Sequence, residues 1–439
     1  MNRKVGVLGG GISGVGAALL AKANGDTVWV SDAGEINKVH KETLHRYSIP
    51  FEESGHDFER LVDCDIIVKS PGIPAKSQII HDLLAAGKEV IGEIEWAFRH
   101  TKGRIIGITG TNGKTTTTLL CHHFLKQSGL NVAMVGNVGE SFCQFLATSD
   151  ADWYVCELSS FQLEDVDTFR PDVAILLNIT PDHLDRYAYS MDAYANAKLN
   201  IARRMTERDT LIYNAMDPIT VGKVMSTETE ARLNSIRATD LSGDDKVYVT
   251  DDLLLDLSRA RLMGRHNQVN VLAAARAALA AGCEASMLQP ALESFTNASH
   301  RMERVGTYEG VTYINDSKAT NTEAVYYALE AMKAPVIWIA GGQDKGNDYT
   351  TILNLVEKKV KALICLGIDN RKLNETFSTR VKHISETTTM REAVRRAASL
   401  ASSGDIVLLS PACASFDLFE NYEDRGNQFK KEVSELKDV

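Results

Sequence analysis

Short apolar runs alternate with longer amphipathic stretches along most of this chain, and the alternation predicts its elements in order. Residues 3–8 read as a strand, Gly9 to Gly14 as a turn, and Val15 to Ala23 as a helix with Gly25 behind it. A second strand, Thr27 to Ser31, ends at Asp32, and a third, Cys64 to Lys69, ends at Ser70-Pro-Gly72. Lys88 to Ile91 is a fourth, before a helical stretch near Glu93 to His100. The pattern restarts with a strand at Arg104 to Ile108 and a helix from Lys114 to Gln127 closed by Gly129. Further strands are expected at Val132–Val135, Trp153–Glu157, Val173–Ile179 and Thr210–Tyr213, and an alanine-rich helix at Asn267–Ala281, stopped by Gly282. A third alternation, from about Arg301, places strands near 311–315, 336–340, 362–366 and 405–409, and predicts a helix over 386–403. Strand–helix alternation of this kind folds as doubly wound parallel sheets.

The expected fold is therefore α/β in three domains: Rossmann-like over residues 1–92, P-loop ATPase-like over 93–297 and Rossmann-like over 298–439, with a hinge near 296–301. The length of 439 residues agrees, since domains run to about 150 residues. A net charge of −10 argues against nucleic acid as a partner. Seven scattered cysteines (64, 121, 143, 156, 283, 365, 413) with no C-x-x-C pair read as reduced thiols, hence a cytoplasmic protein without a zinc cage. A strand from residue 3 leaves no room for a signal peptide. No apolar run approaches the roughly 18 residues of a membrane span, so no membrane partner is expected.

The densest chemistry lies in Gly107-Ile-Thr-Gly-Thr-Asn-Gly-Lys-Thr-Thr116. Between a strand and a helix, its glycines let backbone N–H groups turn toward a polyphosphate, the helix N-terminus adds positive potential, and Lys114 adds a full charge. Thr115 or Thr116 can offer a hydroxyl to Mg²⁺. Ile108 stands where the strict Walker pattern has glycine, so this is a shortened variant, and a nucleoside triphosphate is the expected ligand. Gly9-x-Gly11-x-x-Gly14, with Asp32 ending the next strand, fits the dinucleotide fingerprint. Its physics is only a pyrophosphate at a helix N-terminus and an acid near a ribose or base, which a UDP-sugar satisfies as well as NAD(P) or FAD. Hydride transfer has no use for a triphosphate site, so the second nucleotide motif points to a nucleotide-tagged substrate.

Glu157 ends a strand, and Thr180-Pro-Asp-His183-Leu-Asp185 follows another, so both fall at the rim where open sheets keep ligands. Magnesium prefers oxygen, which suits Glu157, whereas His183 reads by itself more readily as a polar loop residue near a helix start than as a metal ligand. Lys198, on a predicted helix, reads by spacing alone as a solvated surface lysine. In the third segment, Asn315-Asp-Ser-Lys-Ala-Thr-Asn321, Gly341-Gly-Gln-Asp-Lys-Gly346 and Ser410-Pro-Ala-Cys-Ala-Ser-Phe416 are polar where strands end. If those strands are parallel, Lys318, Lys345 and Ser415 share one edge, an arrangement suited to a small dicarboxylate. Helix capping by Asp316, Ser317 or Ser415 would explain the hydroxyls but not both lysines.

Gly110-Thr-Asn-Gly-Lys-Thr115, Glu157-Leu-Ser-Ser-Phe-Gln162, Asn178-Ile-Thr-Pro-Asp-His-Leu-Asp185, Gly264-Arg-His-Asn267 and Asn315-Asp-Ser-Lys-Ala-Thr-Asn321 occur here in the order they have in the Mur ligases. The chain resembles that family from end to end. Its members are ATP-dependent amino-acid-adding enzymes of peptidoglycan synthesis, and the Asp-Ser-Lys-Ala-Thr segment fits the branch that adds D-glutamate. The resemblance implies a monomer acting on UDP-N-acetylmuramoyl-L-alanine, D-glutamate and ATP with two Mg²⁺ ions. It implies that Ile12, Ser13, Asp32, Ser70 and Gly72 hold the uridine diphosphate and that Asn137 and Gln162 lie along the muramoyl-peptide. Gly110, Thr111, Asn112, Gly113, Lys114, Thr115 and Thr116 would hold the ATP phosphates, and Asn267, Asn270, Arg301 and Asp316 would reach adenine, phosphates and ribose. Thr115 and Glu157 would serve one Mg²⁺, and His183 with a carbamylated Lys198 the second. Lys318, Thr320, Lys345, Ser415 and Tyr422 would surround the incoming amino acid. Ala33 after Asp32, and Tyr422, depart from the threonine and phenylalanine of the family pattern.

Overall fold

Each predicted alternation closes into its own sheet. The computed structural model describes residues 2–242, 245–260, 262 and 264–436. The first sheet has five parallel strands in the order Phe51–Glu52, Thr27–Ser31, Lys4–Leu8, Ile66–Lys69 and Glu89–Gly92. Ile66–Lys69 is buried at every position because helices cover both faces, which is why it reads as an apolar run rather than an alternation. Strand order reverses between Lys4–Leu8 and Ile66–Lys69, so a crevice opens at their carboxyl ends, where Gly9 and Ser70 emerge.

The second sheet is six parallel strands: Arg232–Ile236, Thr210–Asn214, Val173–Leu176, Arg104–Thr109, Trp153–Glu157 and Val132–Gly136. Ile108 of the P-loop strand lies beside Ile175 on one side and Glu157 on the other. An antiparallel ribbon, Leu241–Ser242, Lys246–Thr250 and Leu253–Asp256, follows. The third sheet runs Glu303–Tyr308, Val311–Asn315, Ile406–Leu409, Val336–Ala340, Val360–Leu366 and His383–Thr387. Its first pair is antiparallel and the rest parallel. Ile406–Leu409 inserts between Val311–Asn315 and Val336–Ala340, so the loops opening with Asp316, Ser410 and Gly341 emerge side by side.

By their contacts the residues group into two compact units, Met1–Ser258 with Val269–Phe295, and Arg259–Gln268 with Thr296–Val439. All seven cysteines are free and buried.

Several element bounds differ from the sequence expectation. The first helix begins at Ile12, not Val15, because the glycine loop itself supplies its opening turn. The strand from Val173 ends at Leu176, since residues 177–180 turn to wrap the P-loop. The expected 386–403 helix is split: His383–Thr387 is a strand and the helix is Met390–Leu400. Thr387-Thr-Thr389 is β-branched and favours extended backbone, and the Thr389 side chain accepts from Glu392 N–H as a cap. The edge strands Arg232–Ile236 and Glu303–Tyr308 were not expected, because their positions are mostly polar or half-exposed.

Candidate active site

At the first sheet's crevice, the loop closes on itself through backbone contact. A Cβ on Gly14 would lie 1.8 Å from the Gly9 carbonyl oxygen, so only glycine allows the helix to start this close to the strand. Gly14→Ala is expected to abolish binding of a UDP-substrate while the P-loop still binds ATP, measured by separate titrations of the two ligands. Asp32 Oδ2 accepts from Gly10 N–H at 2.6 Å, and Oδ1 from Gly34 N–H at 2.8 Å. Ser70 Oγ donates to the Gly9 carbonyl at 3.5 Å, and Ile12 stands exposed at the helix start. Ser13 is half-buried and Gly72 exposed, its carbonyl accepting from Arg186 at 3.5 Å. Within this unit the end of the strand Ile66–Lys69 is tied to the segment that follows the short helix Ser160–Leu163 by a buried ion pair, Lys69 Nζ to Asp165 Oδ2 at 2.5 Å.

The P-loop is framed by its neighbours. Asn178 Oδ1 accepts from the N–H groups of Thr111 and Asn112 at 3.1 and 2.8 Å, and its Nδ2 donates to the Asn112 carbonyl at 3.0 Å. Thr111 Oγ1 donates to the Thr180 carbonyl at 3.1 Å and meets Tyr194 Oη at 3.1 Å. Gly113 has a φ of +86°, and a Cβ there would lie 2.4 Å from Asn270 Oδ1, so the buried Asn270 amide rests against the loop. Lys114 Nζ donates to the carbonyls of Gly110 and Thr111, both at 2.8 Å, and Thr115 and Thr116 are buried at the helix start.

Glu157 is buried beside this loop. Its Oε1 accepts from Asn137 Nδ2 at 2.8 Å, whereas Oε2 is buried without a hydrogen-bond partner. A buried carboxylate oxygen without a partner calls for a cation or a donor not supplied by the chain. With the Thr115 hydroxyl offered from the start of the helix Lys114–Gln127, and phosphate and water completing the shell, this oxygen donor set would fit Mg²⁺. Among the described residues no cluster of three His, Cys, Asp or Glu side chains converges, so no all-protein cage competes with that arrangement.

Lys198 is not the solvated lysine that spacing suggests. It is 1% exposed, donates from Nζ to the Gly110 carbonyl at 2.8 Å and lies 4.6 Å from the Tyr194 ring centre. Burial, then the Lys114 charge, pushes its ammonium well below the usual lysine range against the pull of Asp182 and Glu157. His183 is on an exposed loop with φ +50°, its N–H donating to Asp182 Oδ1 at 3.0 Å and its ring against Phe161. Gln162 is buried with its Oε1 accepting from Ser159 N–H in a capping box.

In the other unit the three polar loops share the carboxyl edge of the third sheet. Asp316 is buried, accepting from Ser410 Oγ at 3.0 Å and Met302 N–H at 3.2 Å. Lys318 Nζ stands 3.5 Å over the Tyr422 ring, Ser415 is buried, Thr320 half-buried, and Lys345 exposed in the turn whose amides donate to Asp344. Asn321, not Asp316 or Ser317, caps the following helix, accepting from Ala324 N–H at 2.8 Å. Capping therefore does not account for this edge.

Sequence reasoning missed the residue holding the edge together. Arg425 is buried, and its guanidinium donates to Ser317 Oγ at 3.0 Å, the Ser317 carbonyl at 2.8 Å and the Cys413 carbonyl at 3.1 Å. Arg301 is flanked by His300 and Met302 at φ +65° and +47°, a left-handed pair that non-glycine residues adopt at a cost of about 1 kcal/mol or more each. The Met302 N–H to Asp316 bond holds one side of it. Asn267 is buried at the start of the helix His266–Ala280.

Burial pushes the Asp316 carboxyl up to about 7, with Ser410, Met302 and Arg301 opposing. The folded chain then holds a proton that the unfolded chain releases near pH 4. Stability is thus expected to fall as pH rises from about 4 to 7, by about 1.4 kcal/mol per unit from this group. Asp316→Asn should flatten that part of the profile, which urea unfolding at several pH values would check.

Three domain families match in series: MurD N-terminal domain over residues 4–79, Mur ligase middle domain over 108–278, and Mur ligase, glutamate ligase domain over 300–413. The chain is 48% identical over 446 aligned positions to a UDP-N-acetylmuramoylalanine--D-glutamate ligase of Porphyromonas gingivalis, covering 98% of each. It is 45% identical to the protein of that name from Christiangramia forsetii, covering 99% of this chain and all of that one. Among solved structures it is similar to the UDP-N-acetylmuramate-alanine ligase MurC of Thermotoga maritima, with a TM-score of 0.63 at 19% identity over 99% of this chain and all of the other.

Proposed function

The chain belongs to the Mur ligase family, and from that premise we propose that it joins D-glutamate to UDP-N-acetylmuramoyl-L-alanine at the expense of ATP, in cytoplasmic peptidoglycan precursor synthesis. The observation that carries this reading is the meeting of P-loop, buried Glu157 and buried Lys198 at one edge of the central sheet. The crevice by Gly9, Asp32 and Ser70 suits a nucleotide diphosphate. Ile12, Ser13 and Gly72 would line it, with Asn137 and Gln162 further along the muramoyl-peptide.

The alanyl carboxylate oxygen attacks the γ-phosphorus of ATP and ADP leaves, giving an acyl phosphate. The P-loop N–H groups and Lys114 stabilise the charge on the transferred oxygens, with Asn178 keeping the loop in shape. The amine of D-glutamate then attacks the acyl carbon, loses a proton, and phosphate departs from the tetrahedral intermediate. Two Mg²⁺ ions, held by Thr115 with Glu157 and by His183 with carbamylated Lys198, would offset phosphoryl and acyl oxygen charge when bound. Lys318, Thr320, Lys345, Ser415 and Tyr422 would receive the amino acid, two cations meeting its two carboxylates. Asn267, Asn270, Arg301 and Asp316 would bind the rest of ATP.

A folate-polyglutamylating ligase is disfavoured by the MurD-type first domain, and a P-loop regulatory ATPase by the lysine-bearing third edge. The test is phosphate release from ATP with UDP-N-acetylmuramoyl-L-alanine and D-glutamate, L-glutamate or no amino acid. Release with D-glutamate alone, matched by a new UDP-linked product, is expected. Release without amino acid would point to an ATPase, and no release to a different substrate.

A further inference from the structure

The second sheet has a cavity at its other end. It measures about 670 Å³ and runs across the amino ends of four adjacent strands, those opening at Arg104, Val173, Thr210 and Arg232. The P-loop strand Arg104–Thr109 thus has one end in each place. At about 3.3 Å per residue the two lie roughly 17 Å apart, so this cavity is separate from the candidate active site.

Its lining is strongly cationic in a chain whose net charge is −10. Arg104, Arg208, Arg232, Arg237 and Arg276 face two carboxylates, Asp172 and Asp240. Both carboxylates are already engaged. Asp172 accepts from Ile105 N–H at 2.9 Å and Arg104 Nε at 3.4 Å, and Asp240 from Arg237 N–H at 2.8 Å and Arg276 Nη2 at 3.1 Å. The back wall is rigid, because Arg276 also donates to the Val249 carbonyl, Asn234 Oδ1 and the Ser235 carbonyl. The rim is different. Among the described residues no carboxylate pairs with the guanidinium groups of Arg208, Arg232 or Arg237: Arg232 Nη2 donates to the Arg208 carbonyl at 2.7 Å and Arg237 Nε to Ser235 Oγ at 3.0 Å.

Solvated surface charge gains from mixed signs, whereas three like charges around one concavity repel unless an anion joins them. Guanidinium forks bind phosphate oxygens bidentately, and the volume lies within the roughly 300–1,000 Å³ of small-molecule sites. We propose that this cavity binds a small phosphoanion carrying three or more negative charges. A nucleoside triphosphate and an inorganic polyphosphate share that chemistry. The proposal stands independently of the reading of the active site.

The test is calorimetric titration of the full chain with inorganic tripolyphosphate and, separately, with CTP, in wild type, Lys114→Ala and Arg208→Ala/Arg232→Ala. One saturable site that survives Lys114→Ala and weakens at least tenfold in the double variant is expected, with affinity falling as salt rises. Tighter binding of CTP would show a nucleoside subsite, and equal binding would show that phosphate alone is read; both support the proposal. Binding lost in Lys114→Ala but intact in the double variant, or no binding at all, would overturn it. The double variant alters exposed side chains, and Arg237→Ala, tested separately with a melting curve, guards against a folding artefact.

Discussion

Lys198→Ala is expected to lower the ligation rate about a thousandfold, some 4 kcal/mol at the transition state, while ATP still binds. The reason lies in where the side chain ends. A buried lysine whose ammonium is disfavoured by burial and by Lys114 is a ready amine nucleophile toward CO₂. The resulting carbamate would present two oxygen ligands where the structure now places a single N–H donor on the Gly110 carbonyl. The measurement is kcat alongside nucleotide affinity, with wild type assayed in CO₂-depleted buffer. Reversible loss on depletion would match the carbamate. Full activity without CO₂, with Lys198→Ala still inactive, would assign the role to the N–H bond that holds the P-loop.

The second large effect is expected at Arg425. Its replacement by alanine leaves the Ser317 and Cys413 carbonyls and the Ser317 hydroxyl without their donor inside the protein. Unmet buried acceptors cost about 1–3 kcal/mol each, so a loss of about 4 kcal/mol is expected. The loops carrying Lys318 and Ser415 would loosen together, raising KM for D-glutamate by more than tenfold in whatever fraction stays folded. Arg425→Lys should not rescue it, because one ammonium cannot reproduce a planar fork aimed at two loops. Urea unfolding and amino-acid titration of both variants check this, and an unchanged KM in Arg425→Lys would show that the loops hold without the fork.

What could be read in advance follows from range along the chain. The P-loop, the Gly9 loop and the strand-end polar loops were legible because each depends on local spacing and on the strand and helix beside it. Lys198 was not, because its helix Met191–Leu199 has no distinct apolar face and its burial depends on the Gly110 carbonyl, far away in sequence. Asn178 stood inside a quoted motif, yet its clamp on Thr111 and Asn112 exists only once two parallel strands lie side by side. Arg425 sits on a mainly polar helix, Tyr422–Glu435, and reads as one more surface cation until the sheet edge closes around it. The 386–403 stretch misled in the opposite way: alanine and arginine propensity is local and correct from Met390 on, but pairing of His383–Thr387 with Val360–Leu366 overrides it upstream.

The position of Ile406–Leu409 has a consequence for biosynthesis. This strand comes last of the six in the chain but lies near the middle of its sheet, between Val311–Asn315 and Val336–Ala340. While the ribosome is still translating, those two strands have no partner between them, and their apolar edges wait in the exit region for a segment almost one hundred residues downstream of the first. The third sheet therefore gains this strand only after its other five have been made, whereas the first sheet is complete by Gly92. Chaperone demand should accordingly concentrate between the synthesis of Val336–Ala340 and that of Ile406–Leu409, on the open edge of the Val336–Ala340 strand.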